Sequence, residues 1–276
     1  MKTYKILIPV FNDWESLLIL LNNIHALKIN SIANIKVLII DDCSTEILNT
    51  KIKFESFADF EIIKNSKNIG HGKSIANGIN YLIKKNDFDY LIVMDGDGED
   101  RPEEIKDLIL KSYNFPSLTI TANRIKRSES FLFKIFYQLH KILTLILTGE
   151  SIKFGNFMCI PMTDLKSLAN NKNLFVSFSG TVAKFLKNKI HINSIRGIRC
   201  KGYTKMTFVK LIRHSLLIIS VFKKKVLYRL FIISILYTFL IILFVKKNII
   251  FLILPIIIIS LLILYVLFNL YEKNYN

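Results

Sequence analysis

The chain has 276 residues, 51% of them hydrophobic, with 38 Lys and Arg against 21 Asp and Glu, a net charge of +17. That composition excludes a disordered chain, and 10 Gly, 5 Pro and 3 Cys exclude collagen-like and disulfide-scaffold designs. The excess of base points to an anionic partner, and the odd set Cys43, Cys159 and Cys200, with no metal-ligand spacing, fits a reducing compartment. In chain order, Lys5–Val10 reads as a strand and Asp13–Leu27 as a helix with Leu17, Leu18, Leu20, Leu21 and Ile24 on one face. Ile35–Ile40 reads as a strand, Glu61–Lys64 as a weak strand, and Lys73–Lys85 as a helix carrying Ile75, Ile79, Leu82 and Ile83. Tyr90–Met94 reads as a strand, Pro102–Lys111 as a helix with proline at its first position, and Leu118–Thr121 as a fifth strand. Continuous apolar strands alternating with helices predict an α/β fold, a mainly parallel sheet covered on both faces. Ligands of such sheets sit beyond the carboxyl ends of the strands.

Beyond residue 127 the pattern changes. Phe131–Leu147 and Phe208–Phe222 read as basic amphipathic helices suited to a membrane interface. From Val226 to Val245 only Arg229 is charged, and from Asn248 to Tyr271 nothing is, so two membrane spans are expected, about 226–245 and 248–270. Pro255 is tolerated in such a helix. Met1–Lys5 leads directly into an apolar run too short for a secretory leader. Lys210, Arg213, Lys223, Lys224, Lys225 and Arg229 crowd the approach to the first span. The positive-inside rule therefore puts residues 1–225 in the cytoplasm of a multi-pass inner-membrane protein. The expected organisation is 1–206 as a cytoplasmic domain, 207–225 as a juxtamembrane helix and 226–271 as a transmembrane pair, through which a homo-oligomer could form.

The polar residues gather where the ligand rule points. Asp95-Gly96-Asp97-Gly98-Glu99-Asp100 follows the strand at 90–94, and with Glu103 it gathers carboxylates that would repel one another unless a cation shares the site. All-oxygen ligands with open positions suit Mg²⁺ or Mn²⁺ bridging phosphates. An EF-hand is rejected, because Lys106 stands where its twelfth-position Glu belongs. The alternative is a solvated acidic turn capped near Asp100. Asp41-Asp42-Cys43-Ser44-Thr45 ends the second strand, where a carboxylate can accept from a nucleobase imide or a ribose hydroxyl; a turn and helix cap is the plainer reading. Asn68-Ile69-Gly70-His71-Gly72-Lys73 is a Gly-rich turn opening a helix, without the spacing of a Walker loop.

These motifs, with Pro9-Val10-Phe11-Asn12 at the end of the first strand, resemble in order and spacing the family 2 glycosyltransferases of GT-A fold. Asp95-Gly96-Asp97-Gly98-Glu99, followed by Arg101-Pro102-Glu103-Glu104, resembles the dolichyl- and polyprenyl-phosphate hexosyltransferase branch, with Glu99 in place of its usual Gln. Arg199 to Met206 resembles the segment that precedes the membrane region in that branch. The resemblance implies an inverting enzyme that moves a hexose from a UDP- or GDP-sugar to a polyprenyl phosphate. It implies Pro9, Phe11, Asn12, Asp41, Asp42, Gly70, Lys73, Asp95 and Gly96 around the donor, with Asp42 reading the base and Asp41 holding its turn. Asp95, Asp97 and Glu99 would hold Mg²⁺ or Mn²⁺, Asp97, Arg124 and Arg127 would serve catalysis, and Arg199 and Lys205 the acceptor phosphate.

Relatives often carry Gly-Asp-Phe where this chain has Gly155-Asn156-Phe157, so the expected acid is missing. A lipid phosphate, largely ionised near neutral pH, needs no base. A glycan or glycolipid hydroxyl would need one, with Asp164 the candidate. His71, His140 and His214 read as interfacial or structural. A non-catalytic nucleotide-sugar-binding membrane protein is the other class considered. Nucleic acid is set aside as a partner, because the basic residues cluster near the spans instead of interleaving with aromatics.

Overall fold

A computed structural model describes residues 1–46, 55–126, 131–202, 207–244 and 249–275. Two compact units emerge, one of Met1–Ser128 with Lys153–Lys205, the other of Glu129–Ile152 with Met206–Asn276. Residues 129–152, expected within the N-terminal domain, thus group with the C-terminal helices.

The first unit is built on a seven-stranded sheet. Its strands are β1 (Thr3–Val10), β2 (Asn34–Asp41), β3 (Asp59–Lys64), β4 (Tyr90–Val93), β5 (Thr119–Lys126), β6 (Phe154–Pro161) and β7 (Lys189–Ile195), in the order β3-β2-β1-β4-β6-β5-β7. β1 runs parallel to β2 and β4, and β2 parallel to β3, with Val10 opposite Asp41 and Leu7 opposite Val93. β6 is antiparallel to both β4 and β5, so β5 points the same way as β4. The carboxyl ends of β1, β2, β4 and β5 and the start of β6 therefore share one edge of the sheet.

The helices of this unit are α1 (Trp14–Ala26), α2 (His71–Lys85), α3 (Glu104–Asn114), α5 (Met162–Ala169) and α6 (Phe178–Phe185). One buried cluster joins Leu17, Leu20 and Leu21 of α1 and Ile105 and Leu108 of α3 to Ile6 and Ile8 of β1. A second, on the other face, joins Ile75, Ile79 and Leu82 of α2 to Leu7, Leu38 and Val93. Each such side chain contributes about 1.5–3 kcal/mol on burial, and two apolar faces explain the uninterrupted hydrophobic runs of β1, β2 and β4. Lys5 interrupts β1 yet is fully buried, because its ammonium pairs with Asp59 at 2.8 Å and Glu61 at 3.4 Å on the edge strand β3.

Three sequence expectations change. Helix α3 starts at Glu104, not Pro102, because Glu104 N donates to Arg101 O and Ile105 N to Pro102 O, closing a tight turn that precedes the helix. Asp100 caps nothing: Glu103 occupies the cap position, without a side-chain cap bond. β5 continues to Lys126 because β7, which carries no strong apolar signal, pairs along its length.

The second unit holds α4 (Phe131–Thr148), α7 (Phe208–Val221), α8 (Lys223–Phe244) and α9 (Ile249–Tyr275). α8 packs on α9, and Lys223 lies 3.8 Å from the ring centre of Tyr271. Leu139, Ile142, Leu143, Leu145 and Ile146 of α4 stand exposed, as do Phe231, Leu236 and Phe239 of α8 and Leu261, Leu262 and Tyr265 of α9. Among the described residues, one segment is long and apolar enough to cross a membrane, Ile256–Lys273 of α9, with mean hydropathy 1.9.

Candidate active site

The ends of β1 and β2 are clasped together. Asn12, in the left-handed region with φ 47°, accepts through Oδ1 from Thr45 N at 2.9 Å and Glu46 N at 3.2 Å, while its own N–H donates to Ser44 Oγ at 3.0 Å. Pro9 is buried within β1, and Phe11 is exposed at the rim. Asp41 accepts from Ser44 N at 2.8 Å, so it holds its own turn.

Asp42, expected to read the base, is tied into its own chain. It is 3% exposed, and its carboxylate accepts from Asn65 Nδ2 at 2.9 Å, Ile69 N at 2.9 Å and Gly70 N at 2.8 Å. Two donors reach Oδ1 and one reaches Oδ2, so Asp42 braces the loop that opens α2. Gly70 caps that helix, and Lys73, one turn in, is half-buried.

That brace sets the position of His71, whose Nε2 lies 3.1 Å from Asp95 Oδ1 beyond the end of β4 and 3.0 Å from Asn156 Nδ2 at the start of β6. Sequence reasoning missed this meeting, because the three residues lie on different elements, 24 and 61 positions apart. Asp95 Oδ1 is buried and meets the His71 imidazole as an ion-pair partner instead of in a well-aligned hydrogen bond. Burial works against the Asp95 charge, but the nearby imidazole, Arg124 and Asn156 outweigh it and hold the carboxyl far below the usual carboxylate range. Burial likewise opposes a charged His71, yet Asp95, with Asp97 and Asp100 behind it, raises the imidazole pKa.

Asp97 sits two residues on. Its Oδ1 accepts from Glu99 N at 3.0 Å, and its Oδ2 lies 2.9 Å from Arg199 Nη1, the same guanidinium that pairs with Asp13. Burial, then the charges of Asp95 and Glu99, push the Asp97 carboxyl up to about 6. Gly98 lies at φ +84°, and a Cβ there would fall 2.2 Å from Cys200 Sγ, so the turn requires glycine. Gly96 was expected to leave room for a ligand. A Cβ at that position would instead press on Ile8 at 3.1 Å and the Pro9 carbonyl at 3.3 Å, so its smallness serves packing against β1.

Four expected assignments move. Glu99 pairs with Arg196, and among the described residues no three His, Cys, Asp or Glu side chains converge as a metal cluster. Arg124 is not turned to an open cleft: its guanidinium lies 3.2 Å from the buried Asp100. Arg199, expected on an acceptor phosphate, is held by Asp13 and Asp97. Asp164 accepts from Thr119 Oγ1 at the opposite end of β5, too far from the site to act as a base there. Arg127 and Lys205 lie outside the described residues.

Two carboxylates at the end of β4, one with a buried oxygen met by the His71 imidazole, fit a hard divalent cation that takes its remaining ligands from a diphosphate. Sheet order, site edge and acidic turn together define the GT-A class of nucleotide-sugar transferases, and the fold is shared by solved structures. Glucosyl-3-phosphoglycerate synthase from Mycobacterium tuberculosis, in complex with Mn²⁺, UDP and phosphoglyceric acid, is 12% identical, with TM-score 0.56 over 82% of this chain and 78% of that one. S. aureus TarS 1–349 in complex with UDP-GlcNAc is 15% identical, with TM-score 0.53 over 90% and 74%. Mannosyl-3-phosphoglycerate synthase from Rubrobacter xylanophilus is 13% identical, with TM-score 0.52 over 80% and 72%. An uncharacterised protein of Methanocaldococcus jannaschii is 30% identical over 110 residues, 38% of this chain and 44% of that protein, so the match spans less than half of its length. Residues 5–200 match the family described as glycosyl transferase family 2, and the chain belongs to that family.

Proposed function

We propose that this glycosyltransferase moves a hexose from a nucleotide-diphosphate sugar to a polyprenyl phosphate in a membrane, with inversion and with a divalent cation, in cell-envelope glycan synthesis. The observation that carries the reading is the pair Asp95 and Asp97 at the carboxyl end of β4, where the buried Asp95 Oδ1 meets the His71 imidazole at 3.1 Å and makes no well-aligned hydrogen bond. The M. tuberculosis synthase that shares the fold was crystallised with Mn²⁺ and UDP. Asp95 and Asp97 would hold Mg²⁺ or Mn²⁺, which when bound supplies positive charge to a departing nucleoside diphosphate. Asn12, Asp41 and Asp42 fix the loops around the donor; Lys73, which makes no ion pair among the described residues, would meet its phosphates.

A lipid phosphate as acceptor is supported by two features. Asn156 occupies the place of the acid that the family resemblance leads one to expect, and it lies against His71, so that position supplies no carboxylate base for an alcohol, whereas an ionised phosphate needs none. The exposed apolar faces of α4 and α8, with the candidate span in α9, suit a protein working on a membrane-borne substrate. Two membrane-crossing helices, with residues 1–206 in the cytoplasm, complete the proposal. The test is to incubate membranes containing the protein with radiolabelled UDP- and GDP-sugars and extract with organic solvent. Label in a lipid cleaved by mild acid supports the phosphate acceptor, and label only in acid-stable material refutes it in favour of a hydroxyl acceptor.

A further inference from the structure

We propose that Asp100 and Arg124 are positioning residues for the carboxylate turn after β4, and that Gly155 is glycine because Arg124 must cross β6 to reach Asp100. The inference rests on reading Asp95 and Asp97 as the seat of a divalent ion and goes beyond it, to the groups that keep those two carboxylates in place.

Asp100 is 2% exposed, and its two oxygens face different ways. Oδ2 accepts from Asp95 N at 3.0 Å, folding the turn back on itself; Oδ1 accepts from Arg124 Nη2 at 3.2 Å. Arg124 is itself anchored at its backbone, where its N–H donates to Lys153 O at 3.1 Å. A Cβ on Gly155 would lie 3.0 Å from Arg124 Nη2 and 3.2 Å from Cζ, so the guanidinium packs against the bare glycine and a methyl there would push it by a few tenths of an ångström. The chain of contacts thus runs from the start of β6, through the end of β5, to the backbone of Asp95. Without Arg124 the turn would hold three buried or half-buried carboxylates, Asp95, Asp97 and Asp100, with Asp100 lacking its cation. An arginine meant for a donor phosphate would present its guanidinium to the cleft; this one spends it on a buried partner.

Outer groups that orient metal-binding carboxylates typically account for about 10–100-fold in metal affinity. Accordingly, Arg124→Met in the full-length, detergent-solubilised protein should weaken Mn²⁺ binding about tenfold or more, measured by electron paramagnetic resonance of free Mn²⁺ without nucleotide. Adding Asp100→Asn to that variant should restore much of the loss, since Asn keeps an oxygen for Asp95 N and carries no unpaired charge. Gly155→Ala, which alters no charge, should weaken binding in the same direction. Should Arg124→Met leave Mn²⁺ affinity unchanged while raising the KM for the donor, with no rescue by Asp100→Asn, Arg124 contacts phosphate directly and the proposal is wrong. Should the wild type bind no Mn²⁺, the metal reading itself fails. Hydrogen exchange of the Asp95–Glu99 amides then decides the positioning role: faster exchange in Arg124→Met, slowed again by Asp100→Asn, upholds it, and unchanged exchange overturns it.

Discussion

Replacing Asp42 with Ala separates two roles that sequence alone leaves superposed. In the structure Asp42 accepts three hydrogen bonds, from Asn65 Nδ2, Ile69 N and Gly70 N, and it is almost wholly buried. Hydrogen bonds to a charged group contribute about 1.5–3 kcal/mol each. Ile69 and Gly70 are half-buried, so water would recover part of the loss, and a net cost of about 3 kcal/mol is expected. For a unit of this size, that lowers the melting temperature by about 6–12 °C. The single tryptophan, Trp14, donates to Glu46 O beside this loop, so intrinsic fluorescence follows the unfolding of the sheet unit. Donor KM should rise as well, because the loop from 65 to 70 sets His71 against Asp95. A variant that melts within about 2 °C of wild type while losing donor affinity would refute this reasoning and return Asp42 to base recognition.

Further outcomes follow from the same geometry. Asp97 and Asp100 titrate near 6 and 7 in the folded, metal-free protein, against about 3.9 in an unfolded chain. The folded state therefore binds more protons across this range, and His71, whose pKa is also raised, acts in the same direction. Thermal stability in metal-free buffer should rise as pH falls from 8 to 6; a fall over that interval would contradict these environments. At the acid end, hydrogen bonds from Lys85 and Tyr81 overcome partial burial and hold Glu61 at about 2, so its contribution is present at neutral pH and lost below about pH 4.5, visible as a declining melting temperature. Gly98→Ala, forced to φ +84° against Cys200, should cost about 1–3 kcal/mol in denaturant unfolding, and an unchanged midpoint would show that the turn relaxes freely.

Much of this molecule is legible in the sequence, for physical reasons that also mark where legibility stops. β1, β2 and β4 announce themselves because both faces are covered, and the motifs at their ends fall on one sheet edge because parallel strands must finish together. β6 and β7 do not. Phe154–Pro161 is recruited between β4 and β5 by pairing with residues far away in sequence, and Lys189–Ile195 is an edge strand with alternating polar residues. The acidic turn is readable as a cation seat, but which of its carboxylates face inward is decided by Arg196, Arg199 and Arg124, arriving from 24 to 102 positions away. Glu99 and Asp97 look equivalent in the sequence; only the fold gives one to Arg196 and leaves the other near Asp95. His71 shows the converse. As a histidine in a Gly-rich turn it signals little, and it becomes part of the site only when Asp42 ties that turn down.

The most direct test of the account compares the purified wild type with Asp97→Asn, each stripped with EDTA and then titrated with Mn²⁺, while transfer from labelled nucleotide-sugar to polyprenyl phosphate is followed. Wild type should lose transfer on stripping and recover it with Mn²⁺, and Asp97→Asn should remain inactive at every Mn²⁺ concentration while melting no lower than wild type, since its surroundings already disfavour charge at that position. Transfer by Asp97→Asn at saturating Mn²⁺, or wild-type transfer untouched by EDTA, would contradict it.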